Sequence, residues 1–394
     1  MMEVRNVVLK RGKEQSLERF HPWVFSGAIE QKPPTLGDGD WVRLTNSKGE
    51  TLAYGHYQDG SIAIRILSFG SSLPGERFWY SRISRAASTR RSAGLPSSET
   101  NCYRLVHAEG DGLPGLIVDV YNDVAVVQAH SYGMHRDRHA IGEAVREVLG
   151  ESCKAIYYRA QITLPGKKST FENEYLFGSS TVPQQVSEHG CRFYINWEEG
   201  QKTGFFLDQR ENRKLLQSFS NGKKILNTFC YTGGFSISAL VAGAQLVHSV
   251  DASAKAIALT EENLRLNAFD PLFHRCFAVD TFEFLSRKET DYDVIILDPP
   301  AFAKHRDARH QAVKGYQRLN TEAMKVIKSG GILFTFSCSQ VVDRQLFYNT
   351  IVSSAIQAGR QIKVLSHLSQ PADHPVSIFH PEGEYLKGLI LFVE

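Results

Sequence analysis

The chain has 394 residues, of which 42% are hydrophobic and 22% charged, with a net charge of +3, so its composition is that of a soluble globular protein of two or three domains. It contains no apolar stretch of the ~18 residues that cross a membrane and no apolar core of a signal peptide near its N-terminus. Its six cysteines are scattered without a C-x-x-C pair, which argues against a zinc ribbon and a disulfide framework. We therefore expect a cytoplasmic protein without a metal site or a membrane partner.

Residues 1–80 predict an all-β domain. Three short apolar segments at 41–46, 50–57 and 61–69 have strand character, and turn-rich stretches separate them. A compact barrel closes such strands without leaving exposed edges. Residues 1–91 also hold 14 basic against 9 acidic residues, an excess that fits either a polyanionic partner or a solvated basic face.

Residues 81–190 predict a smaller central α+β domain. A helix is expected at 77–91, and the Ser/Pro/Gly-rich stretch 92–101 is typical of a linker. Two strands flank a turn at 121–123, and apolar residues at helical spacing predict a second helix at 138–150. This mixture of elements distinguishes the segment from the all-β region before it.

Strand and helix patterns alternate from residue 191 to residue 394. The predicted elements are strands at 223–230, 246–251, 276–280, 291–300 and 331–338 and helices at 234–244, 252–268 and 320–330. This alternation indicates βαβ units and a Rossmann-like α/β fold with a mostly parallel, doubly wound sheet. Ligands of such sheets bind beyond the carboxyl ends of the strands, so the residues at those ends are the candidates for a site.

Three of these strand ends carry residues suited to a nucleoside cofactor. Gly233 and Gly234 open a helix, so the main chain can approach a ligand, although the pattern is not the G-x-G-x-x-G of dinucleotide sites. Asp251 lies 18 residues after Gly233, where a carboxylate can accept hydrogen bonds from both hydroxyls of a ribose. Its alternative role is to cap the following helix. Asp280 is likewise a candidate for contact with an adenine amino group or for a helix cap.

The sequence LDPPAF at 297–302 ends the fourth strand. Its two prolines stop the strand and stiffen the turn, which fixes the positions of Asp298 and Phe302. Phe302 offers a stacking face for a planar base, and Asp298 can hydrogen-bond to the edge of that base. The alternative is a strand terminator with an ordinary acidic residue. A basic stretch that follows is a candidate for holding phosphates, with Lys304, Arg306, Arg309, Lys314 and Arg318.

Cys338 ends the strand that follows the one bearing Asp298. These two strand ends are expected to be neighbours in a doubly wound sheet, so the thiol and the carboxyl group are predicted to lie close together. A lone cytoplasmic cysteine is usually an inert core residue, but this position makes Cys338 a candidate nucleophile. Basic residues of 304–318 are expected to lower the pKa of such a thiol.

Longer motifs resemble one known family. They are 200–213 (GQKTGFFLDQRENR), 227–240 (NTFCYTGGFSISAL), 297–304 (LDPPAFAK), 336–340 (FSCSQ) and 380–389 (HPEGEYLKGL). Together they resemble the RlmI-type class I S-adenosylmethionine-dependent methyltransferases, which act on large-subunit ribosomal RNA. Residues 10–29 are similar to the start of that family's PUA domain, a small RNA-binding β-barrel, and residues 111–121 are similar to its central domain.

The resemblance implies a methyltransferase domain at 191–394 that uses S-adenosyl-L-methionine and acts on ribosomal RNA. Characterised members of the family make 5-methylcytosine. Carbon 5 of cytosine is a poor nucleophile, and addition of a thiolate to carbon 6 makes it reactive. Cys338 is expected to make this addition, while Asp298 holds the ring edge and helps N3 to take up a proton.

The resemblance also assigns binding residues. For the cofactor these are Asn227, Tyr231, Thr232, Gly233, Asp251, Asp280 and Asp298. For RNA they are Phe302, Lys304, Arg306, Arg210, Lys10 and Arg11. No metal ligand is expected, and a homodimer is left open as the assembly state.

The chain departs from the family pattern at several positions. Asn227 stands where many class I methyltransferases have an acidic residue, and Phe229 and Tyr231 stand at two usual glycine positions. Ala301 occupies the place of a second cysteine found in other RNA cytosine-5 enzymes. Two other functions remain compatible with these residues: methylation of a base nitrogen, which needs no thiol, and a non-catalytic RNA-binding factor in ribosome assembly.

Overall fold

The structure is a computed structural model that describes residues 3–160, 171–287, 291–303 and 305–394, apart from the side chain of Arg306. The chain forms two compact units. The first consists of Met1–Gln184, Asn196–Gly204 and Ala372–Gly383, and the second of Gln185–Ile195, Phe205–Pro371 and Glu384–Glu394. Within the described ranges, no helix is both long enough and apolar enough to cross a bilayer.

The first unit begins with a six-stranded sheet. Its elements are β1 (Val4–Leu9), α1 (Gln15–Glu18), β2 (Trp23–Phe25), β3 (Ile29–Gln31), β4 (Trp41–Thr45), β5 (Thr51–Tyr57) and β6 (Ile62–Phe69). The strand order is β2-β6-β5-β4-β1-β3, and β1 pairs in parallel with β4 while the other pairs are antiparallel. The three strands predicted between residues 41 and 69 are therefore confirmed.

Close approach of two backbones shapes this sheet. Gly55 in β5 lies so near β6 that an added Cβ would be 2.1 Å from the carbonyl oxygen of Arg65. Inward-facing side chains such as Val7, Val42 and Ile64 are fully buried and form one apolar cluster. β5 is buried continuously from Ala53 to Tyr57, and β4 and β6 carry pairs of adjacent buried residues, so burial in these strands does not follow a strict period of two.

A second, five-stranded sheet completes the first unit. Its elements are α2 (Phe78–Ser92), β7 (Cys102–His107), β8 (Leu116–Tyr121), β9 (Val124–Ala129), α3 (Tyr132–Arg136), α4 (Arg138–Leu149), β10 (Ala155–Tyr158) and β11 (Glu174–Phe177). The strand order is β11-β10-β9-β8-β7. Both predicted helices are present, and the predicted hairpin turns at Asn122, whose φ is 57°.

Two segments distant in sequence belong to this first unit. Thr203 donates a 2.6 Å hydrogen bond to the buried carboxylate of Asp119, and Arg90 donates a 2.9 Å hydrogen bond to the carbonyl of Asp373. These buried contacts attach residues 196–204 and 372–383, which the predicted domain boundaries had placed in the third domain. The three-domain division at residues 80 and 190 stays a prediction.

The second unit is the predicted α/β fold. Its elements are β12 (Gln184–Glu188), β13 (Cys191–Ile195), α5 (Arg210–Gln217), β14 (Lys224–Thr228), α6 (Gly234–Val241), β15 (Leu246–Asp251), α7 (Ala254–Leu266), β16 (His274–Ala278), α8 (Thr281–Ser286), β17 (Tyr292–Leu297), α9 (Arg309–Val326), β18 (Ile327–Ser337), α10 (Arg344–Ala358), β19 (Ile362–Leu368) and β20 (Lys387–Val393). β12 and β13 form a two-stranded sheet.

The main sheet has seven strands in the order β16-β15-β14-β17-β18-β20-β19. The strands from β16 to β18 run parallel to one another, and β20 runs antiparallel to both of its neighbours. The expectation of a mostly parallel, doubly wound sheet is confirmed. Strand order reverses between β14 and β17, so the ligand crevice of such a fold lies beyond the carboxyl ends of these two strands.

Helix α9 corrects one expectation from the sequence. A helix was predicted at 320–330, whereas α9 begins at Arg309 and ends at Val326, where β18 follows. Ala312, Tyr316 and Leu319 are fully buried at helical spacing, so this apolar stripe accounts for the earlier start of the helix. Lys314 and Arg318 consequently lie on the exposed face of a helix.

A buried ion pair joins β12 to α5. Arg213 donates two hydrogen bonds to the carboxylate of Glu188, at 2.6 and 2.7 Å, and the two side chains are only 4% and 3% exposed. Arg213 also donates a 2.9 Å hydrogen bond to the carbonyl of Phe206. The pair therefore holds the turn that leads into α5, and that turn carries residues of the site described below.

We expect Glu188→Gln to lower the free energy of unfolding by about 3–5 kcal/mol, because it leaves the buried guanidinium of Arg213 without a counter-charge. Urea denaturation followed by circular dichroism measures this change. Glu283→Gln is the matched control, since Glu283 pairs with Arg287 on the exposed surface of the chain. It should change the free energy by about 0.5 kcal/mol or less. Equal effects of the two substitutions would contradict the structural role of the buried pair.

Candidate active site

The loop after β14 has an unusual backbone. Phe229, Tyr231 and Gly233 have φ angles of 54°, 48° and 78°, in the left-handed region that glycine adopts most readily. An added Cβ on Gly233 would lie 2.7 Å from Cγ2 of Thr260, so α7 packs directly against the loop. The two aromatic residues at usual glycine positions therefore do not prevent a tight, wound turn at this strand end.

Side chains from α7 and β15 hold this loop in place. Thr260 donates a 2.9 Å hydrogen bond to the carbonyl of Tyr231, and Asn263 donates one of 3.0 Å to the carbonyl of Thr232. Asp251 accepts a hydrogen bond of 3.1 Å from the backbone N–H of Tyr231. Together these hydrogen bonds stabilise the left-handed backbone of the loop. That conformation costs a non-glycine residue about 1–2 kcal/mol.

Asp251 retains hydrogen-bonding capacity after its contacts within the protein. Its Oδ2 accepts from Tyr231 and its Oδ1 accepts a 2.9 Å hydrogen bond from the N–H of Ser253. A carboxylate has about four lone-pair sites, so both oxygens can accept further donors. The N-cap of α7 is Ser253, whose hydroxyl accepts from the N–H of Ala256 at 3.3 Å. Ser253, and not Asp251, therefore caps α7.

Asp280 and Asn227 differ from Asp251 in their surroundings. Asp280 is the N-cap of α8 and accepts from the N–H groups of Phe282 and Glu283. Asn227 is buried and donates a 2.8 Å hydrogen bond to Ser236. Within the described part of the chain, its Oδ1 has no hydrogen-bond partner. A cap does not exclude an adenine contact, so both residues stay predicted cofactor contacts.

Asp298 follows β17 and lies beside a second carboxylate. Burial and the charge of Asp208 raise the pKa of Asp298 to about 7, although a hydrogen bond from Gln209 opposes the rise. Asp208 is itself held by the hydroxyl of Tyr385, which donates a 2.8 Å hydrogen bond to its Oδ2. Asp298 therefore changes its protonation state near neutral pH, as a general acid or base must.

Asp208 and Gln209 were not recognised from the sequence as site residues. They lie in the motif 200–213, in the short turn before α5, and the polar run that follows the apolar residues 205–207 was the available signal. Arg210 of the same motif was assigned to RNA instead. Its side chain is 1% exposed, and its Nε donates a 3.0 Å hydrogen bond to Glu211. Contact of Arg210 with RNA stays a prediction that this burial does not favour.

Cys338 lies at the adjoining strand end, as the sequence predicted. Its Sγ is 4.0 Å from the carbonyl oxygen of Pro299, the residue after Asp298. The side chain is half-buried, so the thiol remains accessible to a substrate. The parallel pairing of β17 with β18, in which Leu297 is the partner of Thr335, produces this proximity.

Lys387 is a cation near Cys338. It is the register partner of Ser337 across β18 and β20, is 4% exposed and donates a 2.8 Å hydrogen bond to the carbonyl of Ser339. Burial lowers the pKa of Lys387 to about 8, and the negative charge of an ionised Cys338 opposes this shift. The ammonium group is thus still mostly protonated at neutral pH. Lys387 was not selected as a site residue from the sequence. A charged residue within the otherwise apolar stretch YLKGLILFV was the available signal.

The basic residues that were expected to activate the thiol are arranged differently. Arg309 pairs with Asp343 at 3.3 Å, and the guanidinium of Arg318 lies 4.5 Å from the ring centroid of Phe282. Lys314 is exposed on α9. Lys304 lies outside the described residues, and the side chain of Arg306 is not described. The described basic side chains of 304–318 therefore give no support to that expectation, whereas the charge of Lys387 does interact with that of Cys338.

The remaining RNA candidates lie on both units. The ring of Phe302 packs on Tyr316 of α9 with a centroid distance of 4.7 Å and is half-buried. Lys10 and Arg11 are exposed in the first unit, where Lys10 donates a 3.0 Å hydrogen bond to the carbonyl of Gly27. Contacts of these three residues with RNA stay predictions.

Comparison with known proteins identifies the family. The model of the S-adenosylmethionine-dependent methyltransferase family matches residues 154–378, and that of a PUA-like domain matches residues 7–69. Ribosomal RNA large subunit methyltransferase I of Aeromonas hydrophila is 36% identical over 393 residues, 98% of each chain. The protein of the same name from Escherichia coli O139:H28 is 35% identical over 393 residues, again 98% of each chain. The chain belongs to the S-adenosylmethionine-dependent methyltransferases.

A solved structure supports the fold of this methyltransferase. It is a crystal structure of a complex with SAH, and it matches with a TM-score of 0.83 at 23% identity over 99% of this chain and 100% of that one. The cofactor is S-adenosylmethionine, as predicted, and the N-terminal β-sheet is PUA-like. The wound loop, the free lone pairs of Asp251 and the unpartnered Oδ1 of Asn227 are compatible with a nucleoside-containing cofactor.

We expect Asp251→Ala to weaken S-adenosylmethionine binding by about 1.5–3 kcal/mol, the range for hydrogen bonds to a charged group, which corresponds to roughly 10- to 150-fold. Isothermal titration calorimetry measures this change. Asp270→Ala is the matched control, because Asp270 is an exposed aspartate that caps a short helical turn at Pro271–Phe273. Unchanged affinity of the Asp251 variant would remove this carboxylate from the cofactor site.

Proposed function

We propose that this methyltransferase transfers a methyl group from S-adenosylmethionine to carbon 5 of a cytosine in large-subunit ribosomal RNA. The observation that carries the proposal is the proximity of a half-buried thiol, Cys338, to an aspartate with a pKa of about 7 and to a buried lysine. The names of the relatives support large-subunit ribosomal RNA as the substrate. Such a substrate places the reaction in the cytoplasm.

The first step is addition of Cys338 to the base. The thiolate forms a bond from sulfur to carbon 6 of cytosine, and the electron pair of the C5–C6 double bond moves toward the ring nitrogens and carbon 5. Lys387 supports this step, because a nearby ammonium group favours the thiolate over the thiol. The antiparallel pairing of Ser337 with Lys387 keeps the two groups together.

Asp298 acts as the general acid. Its carboxyl group is about half protonated near pH 7, so it can give its proton to N3 as the thiolate adds to carbon 6. Protonation of N3 prevents the accumulation of negative charge on the ring and leaves an enamine with a nucleophilic carbon 5. Asp208 and Gln209 orient the carboxyl group and set its pKa in opposite directions.

S-adenosylmethionine supplies the electrophilic methyl group that carbon 5 accepts. Asp251 is assigned to its ribose hydroxyls, and Gly233, Tyr231, Thr232 and Asn227 line the loop that approaches it. Carbon 5 then gives its proton to the solvent, and the electron pair of that C–H bond restores the C5–C6 double bond as the C6–S bond breaks. Cys338 leaves as a thiolate, and N3 returns its proton to Asp298, so the side chains end in their starting states.

RNA is bound by stacking and by charge in this proposal. Phe302 stacks on the target base from a fixed position against Tyr316. Lys314 and Arg318 on the exposed face of α9, together with Lys10 and Arg11 of the PUA-like domain, contact phosphates. Such contacts make RNA affinity fall steeply as the salt concentration rises.

We expect Cys338→Ser to reduce the methylation rate at least ~1000-fold, because the hydroxyl cannot replace the thiolate as the nucleophile. Cofactor affinity should be unchanged. RNA containing 5-fluorocytosine should trap the wild-type enzyme as a covalent adduct, since fluorine does not leave as a proton does. Mass spectrometry measures both the adduct and the methylated nucleotide.

Cys276→Ser is the matched control for this experiment, since Cys276 is also half-buried but lies in β16. It should retain both the methylation rate and the adduct. If Cys338→Ser keeps most of the methylation rate and the product carries its methyl group on a nitrogen, the D-P-P motif serves base N-methylation and the thiol is structural. If wild-type protein binds RNA but methylates no nucleotide, the role is that of a non-catalytic assembly factor.

The pH dependence of kcat/KM should also reflect the interaction between the carboxyl groups of Asp298 and Asp208. A protonated Asp298 is required, so kcat/KM should fall as the pH rises through about 7. Asp208→Asn removes a negative charge that raises this pKa, so the descending limb should move to lower pH. The control Asp270→Asn should leave it in place. Initial-rate measurements across pH test this, and an unmoved limb in the Asp208 variant would exclude Asp298 as the acid.

A further inference from the structure

A cluster of ligating side chains lies in the first unit, and the methyl-transfer chemistry does not involve it. His21, His380 and Glu382 each direct one ligating atom toward the others, and these atoms all lie within 4.8 Å of one another. The Nε2 atoms of His21 and His380 are each 3.8 Å from a different carboxylate oxygen of Glu382. Ligand atoms of a tetrahedral zinc ion are separated by roughly 3.3 Å, so small side-chain rotations would bring the three into coordination distance.

His380 has an unusual environment for a buried imidazole. Its side chain is 3% exposed, and neither ring nitrogen has a hydrogen-bond partner among the described residues. Its ring instead contacts the indole of Trp23, with centroids 4.4 Å apart. Buried polar atoms are almost always paired in folded proteins, so two unpaired nitrogens on one buried imidazole point to a ligand that supplies the missing interaction.

The second histidine is oriented in the manner of a metal ligand. Nδ1 of His21 lies 3.2 Å from the carbonyl oxygen of Trp23 and 3.2 Å from the backbone nitrogen of the same residue, so the main chain can pair with either tautomer of the ring. In the tautomer that donates to the carbonyl, the proton sits on Nδ1 and the lone pair of Nε2 faces Glu382. A backbone carbonyl bound to the other ring nitrogen is the usual outer contact of a metal-bound histidine.

The surroundings also suit a cation. Glu382 is 56% exposed, which leaves one side of the cluster open to solvent and to an entering ion. The charge of Glu109 also acts on His380, and Glu109 is fixed by a 2.9 Å hydrogen bond from the indole N–H of Trp23. Two carboxylates therefore lie near the histidine pair, although the charge of Glu109 also acts on Arg65.

We propose that His21, His380 and Glu382 bind a divalent transition-metal ion of the zinc class, with water at the open position. Two imidazoles and one carboxylate are a ligand set that zinc accepts, and three protein ligands leave the fourth tetrahedral position for water. The ion would connect the segment 372–383 to the start of β2, two parts of the first unit that are far apart in sequence. The proposal replaces the expectation that the chain has no metal ligand, and it does not depend on the methyl-transfer reaction.

Cobalt and zinc titrations of the untagged, full-length protein test this site after chelator treatment and dialysis. Wild-type protein should bind one equivalent of Co²⁺ with visible d–d bands, and Zn²⁺ should displace it. Glu382→Gln and His21→Gln should each lower the affinity at least tenfold, since even outer contacts of a site change metal affinity by about 10–100-fold. His380→Ala should abolish the bands.

His139→Gln is the matched control, because His139 is exposed and lies outside the cluster. It should bind Co²⁺ as tightly as the wild type. Absence of d–d bands in the wild-type protein, equal affinity of Glu382→Gln and wild type, or a thiolate-to-cobalt charge-transfer band would each overturn the proposal. Circular dichroism without metal establishes folding of each variant. If His380→Ala is unfolded, the result of Glu382→Gln decides, since that side chain is largely exposed.

Discussion

The position of β18 between β17 and β20 is the constraint on which the proposed chemistry depends. Parallel pairing with β17 places Cys338 next to the turn that begins at Asp298, and antiparallel pairing with β20 places Lys387 beside Ser337. Hydrogen bonds of the sheet, rather than flexible loops, therefore set the separation of thiol, carboxyl group and ammonium group. A site built on strand ends holds its geometry more accurately than one built on loops.

Burial acts in opposite directions on the two charged groups of this site. Removal from water disfavours the charged form of each group, so the pKa of Asp298 rises to about 7 and that of Lys387 falls to about 8. At neutral pH the aspartate is then available as an acid while the lysine still carries most of its charge. The carboxylate of Asp208 adds to the effect of burial on Asp298, and the hydrogen bond from Gln209 limits it.

The loop after β14 depends on a different balance. Phe229 and Tyr231 adopt left-handed backbone angles at a cost of about 1–2 kcal/mol each. Hydrogen bonds from Thr260 and Asn263 to the loop carbonyls offset that cost, and the contact of Gly233 with α7 leaves no room for a side chain. The same helix thus stabilises the strained turn and presents it at the carboxyl edge of the sheet.

Local pattern in the sequence was sufficient for the fold of the second unit and for the order of its main candidate site residues. Alternating strand and helix periods predicted the doubly wound sheet, and the rule that ligands bind at the carboxyl ends of parallel strands selected Asp251, Asp298 and Cys338. Both inferences need only information within a few residues of each strand. The longer motifs, taken together, indicated the family of S-adenosylmethionine-dependent methyltransferases.

Tertiary structure alone decided which other side chains meet these residues. Lys387 reaches Cys338 only through an antiparallel strand near the C-terminus, and Asp208 reaches Asp298 only through the turn held by the Arg213–Glu188 pair. His21 and His380 are similarly brought together from opposite ends of the chain. Spacing along the sequence carries no information about such contacts, because strand pairing and the burial of distant segments determine them.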